Sequence, residues 1–273
     1  EKLNAVTVED IQRVAQKYFS ADNARVVIVG KAVEVLPNLT KLPYEVSYFD
    51  KEGNPTEKPE LSRPIPAGVT KETVFNNYLK AIGGVEKAKE VKSVLTKAEA
   101  TMQGMVLTME NKSMAPNKQS VEVSGMGMVL SKNKFDGEKG YAEQQGMKKE
   151  MTAEEVAKSK AAYLPFPEIK FITDETISLV KIEPVDGQDA YVVKKGDDTT
   201  IYYAVATGLK LKQVTEIKAG PQTIKQEISF KDYKEVSGIK IPHTMGMTVG
   251  PQKFDFIAKE IKINEGVSDS DFQ

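Results

Sequence analysis

The sequence predicts an α+β fold in which a short helix–strand segment precedes an antiparallel barrel or strongly curved sheet with covering helices. Three observations predict it. Beyond residue 91 apolar residues alternate with polar ones in many short runs separated by Gly-containing turns; residues 53–68 are rich in proline; and the helices carry readable caps. The proline-rich stretch coincides with a change of composition. Arg13, Arg25 and Arg63, the three arginines of the chain, all precede residue 64, and the ten methionines all follow it. Pro55, Pro59, Pro64 and Pro66 stand among charged and small residues, which is linker composition. The expected organisation is therefore a segment over 1–52, a linker over 53–68 and a domain over 69–273.

The first helix begins at Thr7, which can cap the free amides, with Asp10 at the third helical position. Ile11, Val14, Ala15, Tyr18 and Phe19 recur on one helical face, and Asn23 marks the exit. Arg25 to Val29 is a β-branched run ending at Gly30, the pattern of a buried strand. One helix and one strand cannot build a core of their own, so the segment is expected to dock on the second domain or on a neighbouring chain. A second helix, Lys71 to Ile82, is capped by Thr70 and stopped by Gly83-Gly84, with the stripe Val74, Phe75, Tyr78, Leu79 and Ile82.

Period two then sets in. Val94, Ala98, Ala100 and Met102 face one way, and Ser93, Lys97, Glu99 and Gln103 the other. Further strand runs are Met105 to Met109, Val121 to Leu130, Ile177 to Ile182, Ala190 to Lys194, Ile201 to Val205, Lys210 to Ile217, Thr223 to Phe230, Ile239 to Ile241, Met245 to Val249 and Phe254 to Ile263. Asp136-Gly137, Asp186-Gly187, Thr207-Gly208, Gly220-Pro221 and Ser237-Gly238 read as turns. One helix interrupts the meander: Thr152 and Glu155 form a capping box, and the helix runs to about Ala162. Tyr163-Leu164-Pro165-Phe166-Pro167 breaks it, giving an apolar, proline-stiffened loop suited to cover a concave face.

Composition excludes several kinds of chemistry. With no cysteine and one histidine, His243, the chain holds no thiol nucleophile, disulfide, iron–sulfur cluster or two-histidine zinc motif. A formal net charge of −1 gives no basic surface for nucleic acid. No apolar run reaches the roughly 20 residues of a membrane helix. His243 lacks a nucleophile elbow to serve, so it reads as a strand-end residue, and Asp197-Asp198 and Asp269 with Asp271 lack calcium-loop spacing. No catalytic residue, metal ligand or cofactor site is expected, and the chain begins at Glu1 as a mature or trimmed piece would.

The methionines carry more information. Met105 and Met109 share a strand face with Leu107; Met126 shares one with Met128 and Leu130; Met245 and Met247 make a third pair. Such side chains fill ordinary cores or line sites for irregular apolar ligands, and composition leaves both readings open.

Two resemblances add to this. Val6-Thr7-Val8-Glu9-Asp10-Ile11, Lys17-Tyr18-Phe19 and Asn23 to Gly30 resemble the closing helix and strand of an insulinase-type (pitrilysin-like) zinc peptidase, over about the first 50 residues. That family's His-x-x-Glu-His motif has no counterpart here, so the resemblance implies a C-terminal remnant with no catalytic residue. From Val69 onward the chain is similar to LolA/LolB-like lipoprotein carriers. The matching residues are Ala81-Ile82-Gly83-Gly84, Phe135 to Tyr141, Asp189 to Lys194 and Asp232 to Pro242. The carriers secure their lid with an arginine, and this segment has none.

The second resemblance implies a half-open antiparallel barrel, a lipid or lipoprotein acyl chain as partner, and a periplasmic or outer-membrane-associated place in a Gram-negative bacterium. Together the two imply a non-enzymatic envelope binding domain at the end of a peptidase-related protein, with possible upstream peptidase domains. The alternative is a structural or docking module of a zinc metallopeptidase with no ligand of its own. On the first reading the cavity is lined by Met105, Leu107, Met109, Met126, Met128, Tyr203, Met245 and Met247, under a lid of Tyr163, Leu164 and Phe166.

Overall fold

In the computed structural model the described residues are 6–19, 24–39, 42–59, 61–102, 104–162, 164–219, 222–249 and 252–273. The chain divides into two units, Glu1–Leu61 and Ser62–Gln273.

In the first unit, α1 (Val8–Tyr18) starts at a capping box: Thr7 Oγ1 accepts from the Asp10 amide and the Asp10 carboxylate accepts from the Thr7 amide. Its apolar stripe is exposed, with Ile11 at 60% and Phe19 at 84%. α2 (Ala32–Leu39) follows, then a two-residue ribbon of β1 (Tyr48–Phe49) and β2 (Pro55–Thr56). The Asp50 carboxylate organises the ribbon's turn by accepting from the amides of Glu52 and Asn54. The strand expected over 25–29 does not form. Val26, Val27 and Val29 are more than four-fifths exposed and the stretch has no ladder partner, so its β-branched side chains have no second strand to satisfy the backbone. The expected exit at Asn23 lies outside the described residues.

The second unit is built on one sheet of thirteen antiparallel strands. Thr70 and Thr73 cap α3 (Lys71–Ile82), which ends where Gly83 turns at φ +130. A short α4 (Val85–Glu90) leads into β3 (Ser93–Met102), β4 (Met105–Met114), β5 (Lys118–Gly125), β6 (Met128–Phe135), β7 (Gly140–Gln144) and β8 (Met147–Glu150). The run expected as one strand over 121–130 is a hairpin. Met126 and Gly127 both take positive φ, the geometry of a tight primed turn, and fold the chain back on itself.

After β8 come α5 (Ala153–Ala161), with its Thr152–Glu155 capping box, and α6 (Glu168–Phe171). The sheet resumes at its far edge with β9 (Ile177–Val185), β10 (Gln188–Lys195), β11 (Thr199–Ala204), β12 (Lys210–Ala219), β13 (Gln222–Val236), β14 (Ile239–Val249) and β15 (Gln252–Ile263). Strand order is β8-β7-β6-β5-β4-β3-β15-β14-β13-β12-β11-β10-β9. The last strand thus joins the first arm to the second by pairing with β3, and β8 and β9 remain unpaired with each other, so the sheet is open. Residue 63 runs along the β9 edge through two backbone bonds with Ile182, and its guanidinium pairs with Asp189.

The α3 stripe, Val74, Phe75, Tyr78, Leu79 and Ile82, is the centre of the main core. It packs with Val193, Ile201, Tyr203, Ile239 and Ile241 from the sheet and with Phe166 and Phe171 from the α5–β9 connection. Phe75 meets Phe171 and Tyr203 edge-on at 5.6 and 5.7 Å. On the opposite face the C-terminal turn (Asp269–Phe272) folds back over β4 to β6: Phe272 is buried, Asp271 pairs with Lys112 at 2.6 Å, and Asp269 with Lys118.

Candidate apolar binding face

Register fixes which side chains share the face of the sheet on which α3 packs. Ala98, Ala100 and Met102 of β3 stand opposite Met109, Leu107 and Met105 of β4. Met109 and Leu107 stand opposite Val123 and Gly125 of β5, and on the other side Met245 and Met247 of β14 stand opposite Phe256 and Phe254 of β15. A bulge at Lys259 in β15 keeps Phe256 and Ile261 on one face although their parity differs.

These residues form a second apolar cluster. Its buried members are Ala98, Ala100, Leu107, Met109 and Phe256, with Met102, Met105, Val121, Val123, Leu130, Met245, Met247 and Phe254 partly buried around them. Every member comes from a strand, whereas the main core is half helix. The same strands supply both clusters in succession: β3 gives Val94 to the main core and Ala98 to the second, and β14 gives Ile241 and then Met245. This face of the sheet therefore has two halves along its strands, one packed by helices and one apolar half in which many side chains are only partly buried. Gly125 belongs to this half, since a Cβ there would come within 2.9 Å of Leu107 Cδ2.

The structure brings Met105, Leu107, Met109, Met245 and Met247 together on this face. Met126 and Met128 lie at the β5–β6 turn, 77% and 63% exposed. Tyr203 lies apart, fully buried in the main core. Of the expected lid, Phe166 is in that core as well; Leu164 donates its amide to the Pro116 carbonyl at 2.7 Å; Tyr163 lies outside the described residues. The preceding α5 has no buried residue and is tied to neighbouring turns by charge, Lys158 to Asp198 at 3.1 Å and Lys160 to Glu138. Phe254, Phe256, Val121 and Val123 join the face without having been singled out; their i, i+2 spacing within strand runs is the signal that marks them.

A polar group sits against the main core, beside Tyr203 and Tyr78. Glu168, at the start of α6, is fully buried; its Oε1 accepts from Tyr203 OH at 2.9 Å and pairs with Lys210 Nζ at 2.5 Å, while Oε2 has no partner. Burial pushes the Tyr203 and Tyr78 phenols well above their ordinary range, and the Glu168 charge adds to it, so both stay protonated. The Lys210 ammonium lies over the rings of Tyr78 and Phe230 at 5.4 and 5.5 Å, and Phe230 is the ladder partner of Met245.

The opposite face differs in kind. Lys97 lies 3.4 Å from Glu260, Lys259 3.3 Å from Glu99 and Lys132 2.8 Å from Glu122. A hollow of about 440 Å³ there is walled by these charges and does not suit an apolar ligand. His243 Nδ1 sits 3.0 Å from the Ile241 carbonyl, and Asp197's neighbour Asp198 pairs with Lys158. Among the described residues no group of three or more His, Asp or Glu could hold a metal ion, and no helix is long and apolar enough to cross a membrane.

No family model and no curated protein matches the sequence. Several solved structures share its outline. A DUF1329 family protein from Desulfovibrio piger is 12% identical, with TM-score 0.45 over 75% of this chain and 97% of that one. A LolA superfamily protein from Nitrosomonas europaea is 11% identical, with TM-score 0.46 over 76% and 98%. A domain assigned to outer membrane lipoprotein sorting, from Vibrio parahaemolyticus, is 13% identical, with TM-score 0.43 over 72% and 97%. At that distance the functional reading rests on this chain's own side chains.

Proposed function

We propose that residues 62–273 form a non-catalytic domain that holds the acyl chain of a lipid or lipoprotein on the strand-only half of the sheet face on which α3 packs. The observation that supports this reading is the cluster of Met105, Leu107, Met109, Met245 and Met247 around Phe254 and Phe256, in which apolar side chains converge without a helix among them. Burying a methylene contributes about 0.8 kcal/mol, so six methylenes contribute about 5 kcal/mol without any charged anchor. Unbranched methionines adapt to a chain of variable conformation at little rotameric cost. The same proposal places the domain in the periplasm or at the outer membrane of a Gram-negative bacterium, as part of a peptidase-related protein; these two points rest on the resemblances of residues 69–242 and 6–30.

A fluorescent fatty-acid analogue titrated with the full chain tests it. Saturable binding at micromolar protein, displaced by phospholipid or lipopeptide and weakened severalfold by Met245→Gln with Met247→Gln, is expected. Absence of saturable binding leaves the docking module without a ligand as the better reading.

A further inference from the structure

The proposed site has an apolar face, and Phe230, the ladder partner of Met245, connects it to the buried Glu168–Lys210 pair. We propose that Lys210 is the anchor for the anionic headgroup of a single-chain amphiphile, and that the incoming anion takes the ammonium over from Glu168. This rests on the acyl-chain reading above and narrows its ligand to a fatty-acid-like anion.

The Lys210 side chain retains 12% exposure where Glu168 has none, so it is the accessible partner of the pair. Its ammonium lies over Phe230, which adjoins Met245 in the ladder, so a chain lying on the methionines ends at Lys210. Glu168 is a poor permanent partner, because one of its oxygens is buried without a donor and a half-satisfied carboxylate in an apolar core gains little from staying. A ligand carboxylate reaching Lys210 from the apolar half restores the charge pair, and Glu168 turns out of the core as its four-residue helix loosens, ending the unsatisfied burial at the expense of part of the Phe166 and Phe171 packing. Tyr203 then loses its acceptor and is free to donate to the ligand anion instead.

Dodecanoate and dodecanol share a chain and differ in charge, so competition by each against the fluorescent probe at pH 8 reads the headgroup alone. The full chain is expected to prefer dodecanoate by at least about tenfold, the worth of a charge-assisted bond in a dry site. In the double variant Lys210→Met, Glu168→Leu, which leaves neither charge unpaired, the ratio should fall to about one. Amide exchange over residues 166–171 should quicken with dodecanoate and not with dodecanol. Equal affinities in the unmodified chain, a ratio unchanged in the double variant, or no dodecanoate-specific exchange would overturn the anchor and leave the pair a structural tie. If neither amphiphile competes and the probe itself does not bind, the acyl-chain reading falls with it.

Discussion

Glu168 shows how much one residue can escape a reading of sequence. Its neighbours Pro167 and Ile169 mark a helix start, where an acidic residue ordinarily faces solvent, and nothing local announces that Lys210 and Tyr203, from strands more than thirty residues on, will surround it. Met105, Leu107 and Met109 are legible because strand parity is a local property and they must share a face whatever the sheet does, whereas Met126 and Met128 are not, because the turn at 126–127 takes them out of the run. Tyr203 shares no such run with them and fell to the other core, where α3 supplied its neighbours. Removing one member of a buried ion pair strands the other, so Lys210→Met or Glu168→Ala should lower unfolding free energy by about 3–5 kcal/mol in urea titrations, while the double change to Met and Leu should recover most of that loss. Gly83 makes a separate point. Its φ of +130 and the approach of the Gly238 carbonyl, 2.5 Å from where a Cβ would stand, leave no room for Ala, and Gly83→Ala should cost at least about 1 kcal/mol.

Elements with local signals, capped helices and long alternating strands, are legible in the sequence, whereas those with no local pattern of their own are not. The capping residues Thr7, Thr70 and Thr152 fix helix starts through bonds spanning three residues, which sequence displays directly. Strands β7 and β8 are short and polar, β8 at the edge of the sheet, with little alternation to detect, and 25–29 has the right residues and no ladder among the described residues. The C-terminal turn is another element made by distant partners, and it can be tested on two counts. Phe272 is nearly fully buried, so Phe272→Ala should cost about 3–5 kcal/mol in thermal or chemical unfolding. Burial raises the Asp271 carboxyl, but the Lys112 ammonium and the Ser268 amide outweigh it and hold the group below its ordinary value of 3.8. A depressed carboxyl contributes stability above its unfolded value and loses it as pH falls through the folded one. The stability gap between the unmodified chain and Asp271→Asn should therefore be full at neutral pH and shrink as pH falls below the ordinary value of 3.8 in acid titrations.

At the scale of the molecule, both core clusters draw all their members from residues 69 to 263, so the second unit carries its own interior. Residues 62–273 produced alone should unfold in one cooperative transition, with the far-ultraviolet spectrum of an antiparallel sheet; a broad, non-cooperative melt would show that the sheet depends on residues 1–61. The exposed α1 stripe and the exposed valines of 24–29 are more apolar surface than an isolated small unit carries. The shorter chain should accordingly bind less hydrophobic dye than the full one. Strand order has a further consequence, in time. Because β15 follows the other strands of the sheet in sequence and is wedged between β3 and β14, the ladder from Ile263 to Val94 cannot close until residues 252–263 have been synthesised. A growing chain holds two half-sheets with raw inner edges, and only the final strand removes both at once. Loop closure over so long a separation makes folding slow, on the order of milliseconds to seconds. The same late event assembles the apolar face, since Phe254 and Phe256 arrive with β15, so until that strand docks neither the sheet nor its second apolar cluster is complete.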